Sequence, residues 1–141
     1  MFTVAGLMRE HSDLNRRAMR LERLMAPAAP PPIDEVMRQL QQFSDLLIAH
    51  LGVEEEFLYP YLLASNNPRI VRIARSIGPE TGDMTSLWLG YRAKWTRGAV
   101  IRDWPAFRSA TDDILGRLSR RIIRENRILF ALADAAPELA A

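Results

Sequence analysis

Five side chains have a chemistry at odds with their position. His11, His50, Glu54, Arg121 and Glu125 all fall where a three-and-four spacing of apolar residues assigns the inward face of a helix. Burying such groups without partners is costly, so they must meet one another or an ion. His50 and Glu54 stand at i and i+4, on one face of one helix, and Arg121 and Glu125 repeat that spacing. Two imidazoles and two carboxylates converging inside a helical bundle would make a site for one divalent iron, manganese or zinc ion. The arginine points the other way. A guanidinium is a permanent cation that cannot ligate metal, and it would instead donate to Glu54 and Glu125.

Four helical segments must position these groups. Thr3 can cap the first, which runs to about Met25, where Pro27 and Pro30 to Pro32 stop it. Asp34 and Glu35 place negative charge at the start of the second, which runs to about Ala64. Asn67-Pro68 caps and opens the third, running to about Thr96, with Gly98 as its C-terminal glycine. Asp103-Trp104-Pro105 opens the fourth, which lasts to about Asp134. The apolar stripes are Val4, Leu7, Leu14, Leu21 in the first and Leu40, Phe43, Leu47, Phe57, Tyr61 in the second. The third carries Ile77, Glu80, Met84, Leu87, Tyr91, and the fourth Phe107, Ile114, Leu118, Leu132. No period-two run suggests a strand. The expected fold is an all-α, up-down-up-down antiparallel four-helix bundle forming one domain over residues 1–141, its third helix kinked or split near Gly78-Pro79. A local distortion is expected at Pro60. Counting residues inward from the helix ends brings His11, His50, Met84 and Arg121 to within about one turn of a common depth.

Composition limits the remaining chemistry. The 141 residues include no cysteine, which excludes disulfides, thiolate metal sites and a thiol nucleophile. There is no glycine-rich phosphate loop and no serine or threonine nucleophile motif. No apolar run is long enough for a membrane span, and Met1-Phe2-Thr3-Val4 lacks a secretory pattern, so a cytoplasmic protein is expected. Arginine supplies all but one of the 19 basic residues, yet the net charge is only +2, and no nucleic-acid stripe is indicated. Arg117, Arg120, Arg124 and Arg127 form a basic outer face on the fourth helix. It reads first as solvated, and it leaves room for an acidic partner or a homodimer contact. Glu10 and Asp83 flank the stripe positions, and Trp88, Trp95 and Trp104 are expected to pack.

Glu10-His11-x-x-Leu14, followed by His50-x-x-x-Glu54-Glu55-x-x-Leu58-Tyr59-Pro60, resembles the hemerythrin-like, HHE cation-binding family over nearly the whole chain. The fourth helix carries an altered form of the same phrase, Arg121-x-x-x-Glu125-Asn126-x-x-Leu129-Phe130. The resemblance implies a four-helix bundle that holds two non-heme irons and binds oxygen, nitric oxide or redox partners. It implies that His11 and His50 ligate one iron, that histidines of the third and fourth helices ligate the other, and that Glu54 and Glu125 bridge them. Met84 and Arg121 stand where those two further histidines belong.

Two outcomes are open. In one, a single ion binds through His11, His50 and one or both carboxylates, with positions open for a small diatomic ligand. In the other, no metal binds and Arg121 takes over the charge role of the missing iron, with Met84 filling volume. Competition between Arg121 and any cation at the same carboxylates tips the balance slightly toward the second. The favoured class is a regulatory or sensory binding module with an incomplete site. A mononuclear iron protein with redox or oxygenase activity is the alternative, and no substrate pocket or acid/base pair can be read to support an enzyme.

Overall fold

The computed structural model describes residues 1–140, and its regular elements are all helices, with no strand among the described residues. α1 spans Val4–Met25, and the Thr3 hydroxyl accepts from the Gly6 N–H at 2.9 Å, filling one of the unpaired donors of its first turn. α2 (Ile33–Val53) starts directly after Pro32. It continues through a π turn, Glu54–Leu58, into the short α3, Tyr59–Leu63. α4 (Pro68–Lys94) is capped by Asn67, whose side-chain oxygen accepts from the Arg69 N–H at 3.0 Å. After a further short helix, α5 (Arg97–Arg102), α6 (Trp104–Ala135) is capped in the same way by Asp103. α1 packs on both α2 and α6, and α4 lies against α2, α3 and α6.

One connection departs from expectation, and two expected irregularities take particular forms. Thr96 caps α5, so Gly98 lies inside a helix instead of ending one. α4 is helical without interruption through Gly78-Pro79. The distortion near Pro60 takes the form of the π turn, in which the Tyr59 N–H donates to the Glu54 carbonyl five residues back. Pro60 has no N–H for the regular ladder, and widening the preceding turn accommodates that loss. The widened turn also rotates the residues after it. Leu58, Tyr59 and Leu62 become buried, while Tyr61, expected on the inward stripe, is 40% exposed.

The apolar core is divided. One cluster gathers Leu14, Leu40, Phe43, Trp88, Phe107 and Leu118, and the other gathers Leu7, Leu58, Leu62, Ala74, Leu129 and Leu132. Along α1, along α2 with its π turn, and along α6, the changeover falls at His11, at Glu54 and at Glu125 respectively. A polar layer therefore separates two hydrophobic halves. In the larger half, Trp88 donates from Nε1 to Ser44 Oγ at 2.9 Å, and Trp95 and Trp104 close the end around Phe107.

Tyr91 is buried in the same half, with its hydroxyl 2.6 Å from Thr111 Oγ1. Burial pushes its phenol up to about 12. An unfolded tyrosine ionises near about 10, so the folded state holds this proton more tightly. The contribution is complete below pH ~10 and is lost as pH rises from ~10 to ~12. Tyr91→Phe should flatten the alkaline fall in stability over that window, measured by urea unfolding at several pH values.

Candidate metal centre

The polar layer brings together every candidate from the sequence. His11, His50, Glu54, Arg121 and Glu125 are each no more than 3% exposed. α1 contributes His11, the end of α2 contributes His50, the π turn contributes Glu54, and α6 contributes Arg121 and Glu125. Met84 of α4 is also buried, and it borders the same groove as Arg121.

Three donor atoms converge. His11 Nε2 lies 3.0 Å from His50 Nε2. Glu54 Oε1 lies 2.7 Å from His50 Nε2 and 3.7 Å from His11 Nε2. The outward nitrogens decide what these atoms carry. His11 Nδ1 is 2.6 Å from the Asn126 side-chain oxygen, an acceptor in this orientation, so Nδ1 bears the proton and Nε2 presents a lone pair. His50 Nδ1 lies 3.5 Å from the Glu10 carboxylate, which likewise calls for a proton on the outer nitrogen. As neutral imidazoles in these tautomers, the two rings turn lone pairs toward each other and toward a carboxylate oxygen, although, against the effect of burial, Glu54 and Glu10 raise the His50 proton affinity.

A proton can bridge one pair of these atoms, but not all three. Glu54 Oε1 is in fact fully buried without a hydrogen-bond partner, its 2.7 Å contact with His50 Nε2 lacking hydrogen-bond geometry, and on the outer side His50 Nδ1 has only the 3.5 Å ionic contact with Glu10. A triangle of this size leaves a point about 2 Å from each corner, the length of a metal–nitrogen or metal–oxygen bond. Two histidines and one carboxylate with open positions suit a divalent first-row metal. The residues present therefore fit one ion.

The other side of Glu54 is different. Its Oε2 accepts from Arg121 Nη2 at 3.2 Å, and the same nitrogen donates to Thr81 Oγ1 and, at 3.4 Å, to the Tyr59 hydroxyl. Arg121 Nε lies 2.9 Å from Glu125 Oε1, and the Tyr59 hydroxyl donates to Glu125 Oε2 at 3.2 Å. The guanidinium thus lies between the two carboxyl groups, with Thr81 and Tyr59 also holding it. No imidazole is present on this side, and a guanidinium fills the space between the two carboxyl groups.

The titration behaviour reflects this asymmetry. Burial pushes the Glu54 carboxyl up, but its close contacts with Glu125, His11 and His50 outweigh it and hold Glu54 well below the usual range. Burial, then the hydrogen bond and charge of Glu54, push Glu125 well above its usual value against the pull of Arg121. Glu54 is the anion of the pair and Glu125 carries the shared proton. Burial opposes the charge on Arg121, yet Glu125 and Glu54 raise its affinity for the proton, so it stays a cation. Burial and the neighbouring carboxylates raise the Tyr59 phenol, which stays protonated.

Three partners lie off the sequence stripes. Tyr59 and Thr81 hold the guanidinium, and Asn126 fixes His11. Tyr59 reaches the layer only because of the π turn, and Thr81 because α4 buries Ala74, Thr81, Met84 and Trp88 instead of the face containing Glu80 and Leu87. Glu80 is half-buried and pairs with Arg124 at 2.8 Å.

Residues 3–133 match the family model described as the hemerythrin HHE cation-binding domain. No curated protein and no solved structure matches the chain.

Proposed function

We propose that this chain, which belongs to the hemerythrin HHE cation-binding family, is a module for one divalent metal ion, with an arginine in the second metal position. His11 Nε2, His50 Nε2 and Glu54 Oε1 would hold the ion. Glu125 supports the site through Glu54 and Arg121 instead of acting as a direct ligand. The observation that carries this reading is the buried triangle of donor atoms whose outer nitrogens face Asn126 and Glu10. Iron heads the candidates because the family binds it, and manganese and zinc suit the same donors.

A bound iron would supply a Lewis-acidic, redox-active centre with positions left for a small ligand such as oxygen or nitric oxide. The chain's own residues do the rest. Asn126 and Glu10 orient the imidazoles, the two apolar clusters limit water, and Arg121 balances the Glu54 charge without occupying the ligand triangle. One metal with a fixed neighbouring cation suits binding and sensing, and we assign the domain a regulatory or sensory role on that basis. The four long helical stretches form, on this reading, the up-and-down bundle of the family.

A metal-free reading has two observations in its favour. Arg121 already neutralises Glu54, and the 3.0 Å contact between the imidazoles can hold a proton. Titration of chelator-treated protein with zinc or anaerobic ferrous iron separates the two. One equivalent per chain, lost in His11→Gln and in His50→Gln, is expected. Absence of saturable uptake in the wild-type chain would establish the metal-free cluster.

The supporting residues give a graded test. Removing the partner of a metal-bound imidazole typically weakens affinity by roughly 10–100-fold. Asn126→Leu should fall in that range through His11. Glu10→Ala should have the smaller effect, because its 3.5 Å contact is longer and its side chain is 34% exposed.

A further inference from the structure

The seam between α4 and α6 is open. A groove of about 670 Å³ lies between Glu80, Asp83, Met84 and Leu87 on α4 and the row from Arg117 to Arg127 on α6. A second hollow of about 400 Å³, lined by Ile70, Ile73 and Ile128 among others, continues the seam and shares Arg127 with the first. Leu87 and Ile123 remain 47% and 53% exposed where they border the groove.

The charge of this seam is one-sided. Five arginines and two carboxylates line the larger groove. Arg121 is committed to the buried layer, Arg124 pairs with Glu80, and Arg117 pairs with Asp113. Arg120 and Arg127 have no carboxylate partner among the described residues. They stand seven positions apart, two helical turns or about 10 Å along one face. Apolar side chains lie in the groove around Met84, Leu87 and Ile123.

We propose that this seam is the docking site for an acidic amphipathic helix of a partner protein. Such a helix would set two carboxylates, seven residues apart, against Arg120 and Arg127, with its aliphatic face against Leu87 and Ile123. Helix-in-groove recognition combines these two elements, an apolar anchor row and a charged rim. A second copy of this chain is a poorer complement. Its acidic run, Glu54-Glu55-Glu56, offers only two exposed carboxylates, on adjacent positions of a helix. A concave groove also suits a rod better than a flat bilayer. The proposal holds with or without metal in the buried layer.

The test uses the full chain and a synthetic 21-residue helical peptide with leucines on one face and glutamates seven residues apart beside it. Fluorescence anisotropy should show saturable one-to-one binding that weakens with salt. Amide shift changes should centre on Leu87, Arg120, Ile123 and Arg127. Arg120→Glu with Arg127→Glu should weaken binding at least tenfold, with unchanged circular dichroism and melting. The same variant should bind a peptide carrying lysines in place of the glutamates. Equal affinity for a sequence-permuted peptide, no effect of the charge reversal, or shift changes elsewhere would overturn the proposal. So would tighter binding to phosphatidylserine vesicles or a 20-base-pair duplex, or self-association of the chain through this face.

Discussion

Arg121→Met should destabilise the chelator-treated protein by about 3–5 kcal/mol at neutral pH, the cost typical of breaking a buried ion pair from one side. Methionine is long enough to keep most of the packing, so the loss isolates the charge and its hydrogen bonds. Without the guanidinium, Glu54 Oε2, Thr81 Oγ1 and the Tyr59 hydroxyl lose their shared donor, and Glu125 loses its nearest cation. The sign of the pH dependence is fixed. Glu54 in the native protein lies well below its usual value, so its contribution is full above the ordinary carboxyl range and is lost as pH falls through the depressed value. In the variant Glu54 keeps its contacts with Glu125, His11 and His50 but loses the Arg121 share of its stabilisation, so its value rises and acidification hurts the variant less. The stability gap should therefore narrow as pH falls below about 4.5. Urea unfolding at two pH values measures this. A neutral-pH loss under about 1 kcal/mol would show that Arg121 acts as a surface arginine.

The second large effect is a gain. Met84→His with Arg121→His should raise metal uptake from one ion per chain to two. Histidine at 121 would stand four residues before Glu125, repeating the His50–Glu54 spacing on the facing helix. It would also remove the fixed cation that competes for Glu54 and Glu125. Met84 is 5% exposed and borders the same groove as Arg121, so both imidazoles would start near the vacated volume. Met84→His alone should stay at one ion because the guanidinium persists. Uptake is read by equilibrium dialysis with zinc, and magnetic coupling between two bound irons supplies an independent signal. A double variant that folds and still binds one ion would refute the correspondence between these positions and a second metal.

The difference between what is legible in the chain and what is not has a physical pattern. His11, His50, Glu54, Arg121 and Glu125 are readable because polar groups on an apolar stripe must be buried together, and all five are. The Thr3, Asn67 and Asp103 caps set the starts of α1, α4 and α6 because each side-chain oxygen satisfies a backbone N–H. The buried face of α4 differs from its sequence stripe by about one position. Leu87, Trp88 and Leu89 are consecutive large apolar residues, and only tertiary packing selects Trp88 for the core. The stripe after Glu54 fails for another reason. A regular 3.6-residue count cannot foresee the added residue of a π turn, which exposes Tyr61 and delivers Tyr59 to the site. α5 is hidden because Gly98 reads as a stop, although Thr96 caps a new turn. The grip of Thr81 and Tyr59 on Arg121 joins residues 40 and 62 positions apart, which no local pattern encodes.

The most direct measurement is an anomalous-difference map from crystals of the iron-loaded protein, collected on either side of the metal edge. The expected result is one peak per chain, in contact with His11 Nε2, His50 Nε2 and a Glu54 oxygen, and the Arg121 guanidinium between Glu54 and Glu125. Two peaks, a peak bonded to Glu125 with Arg121 swung outward, or no peak at the histidines would contradict it.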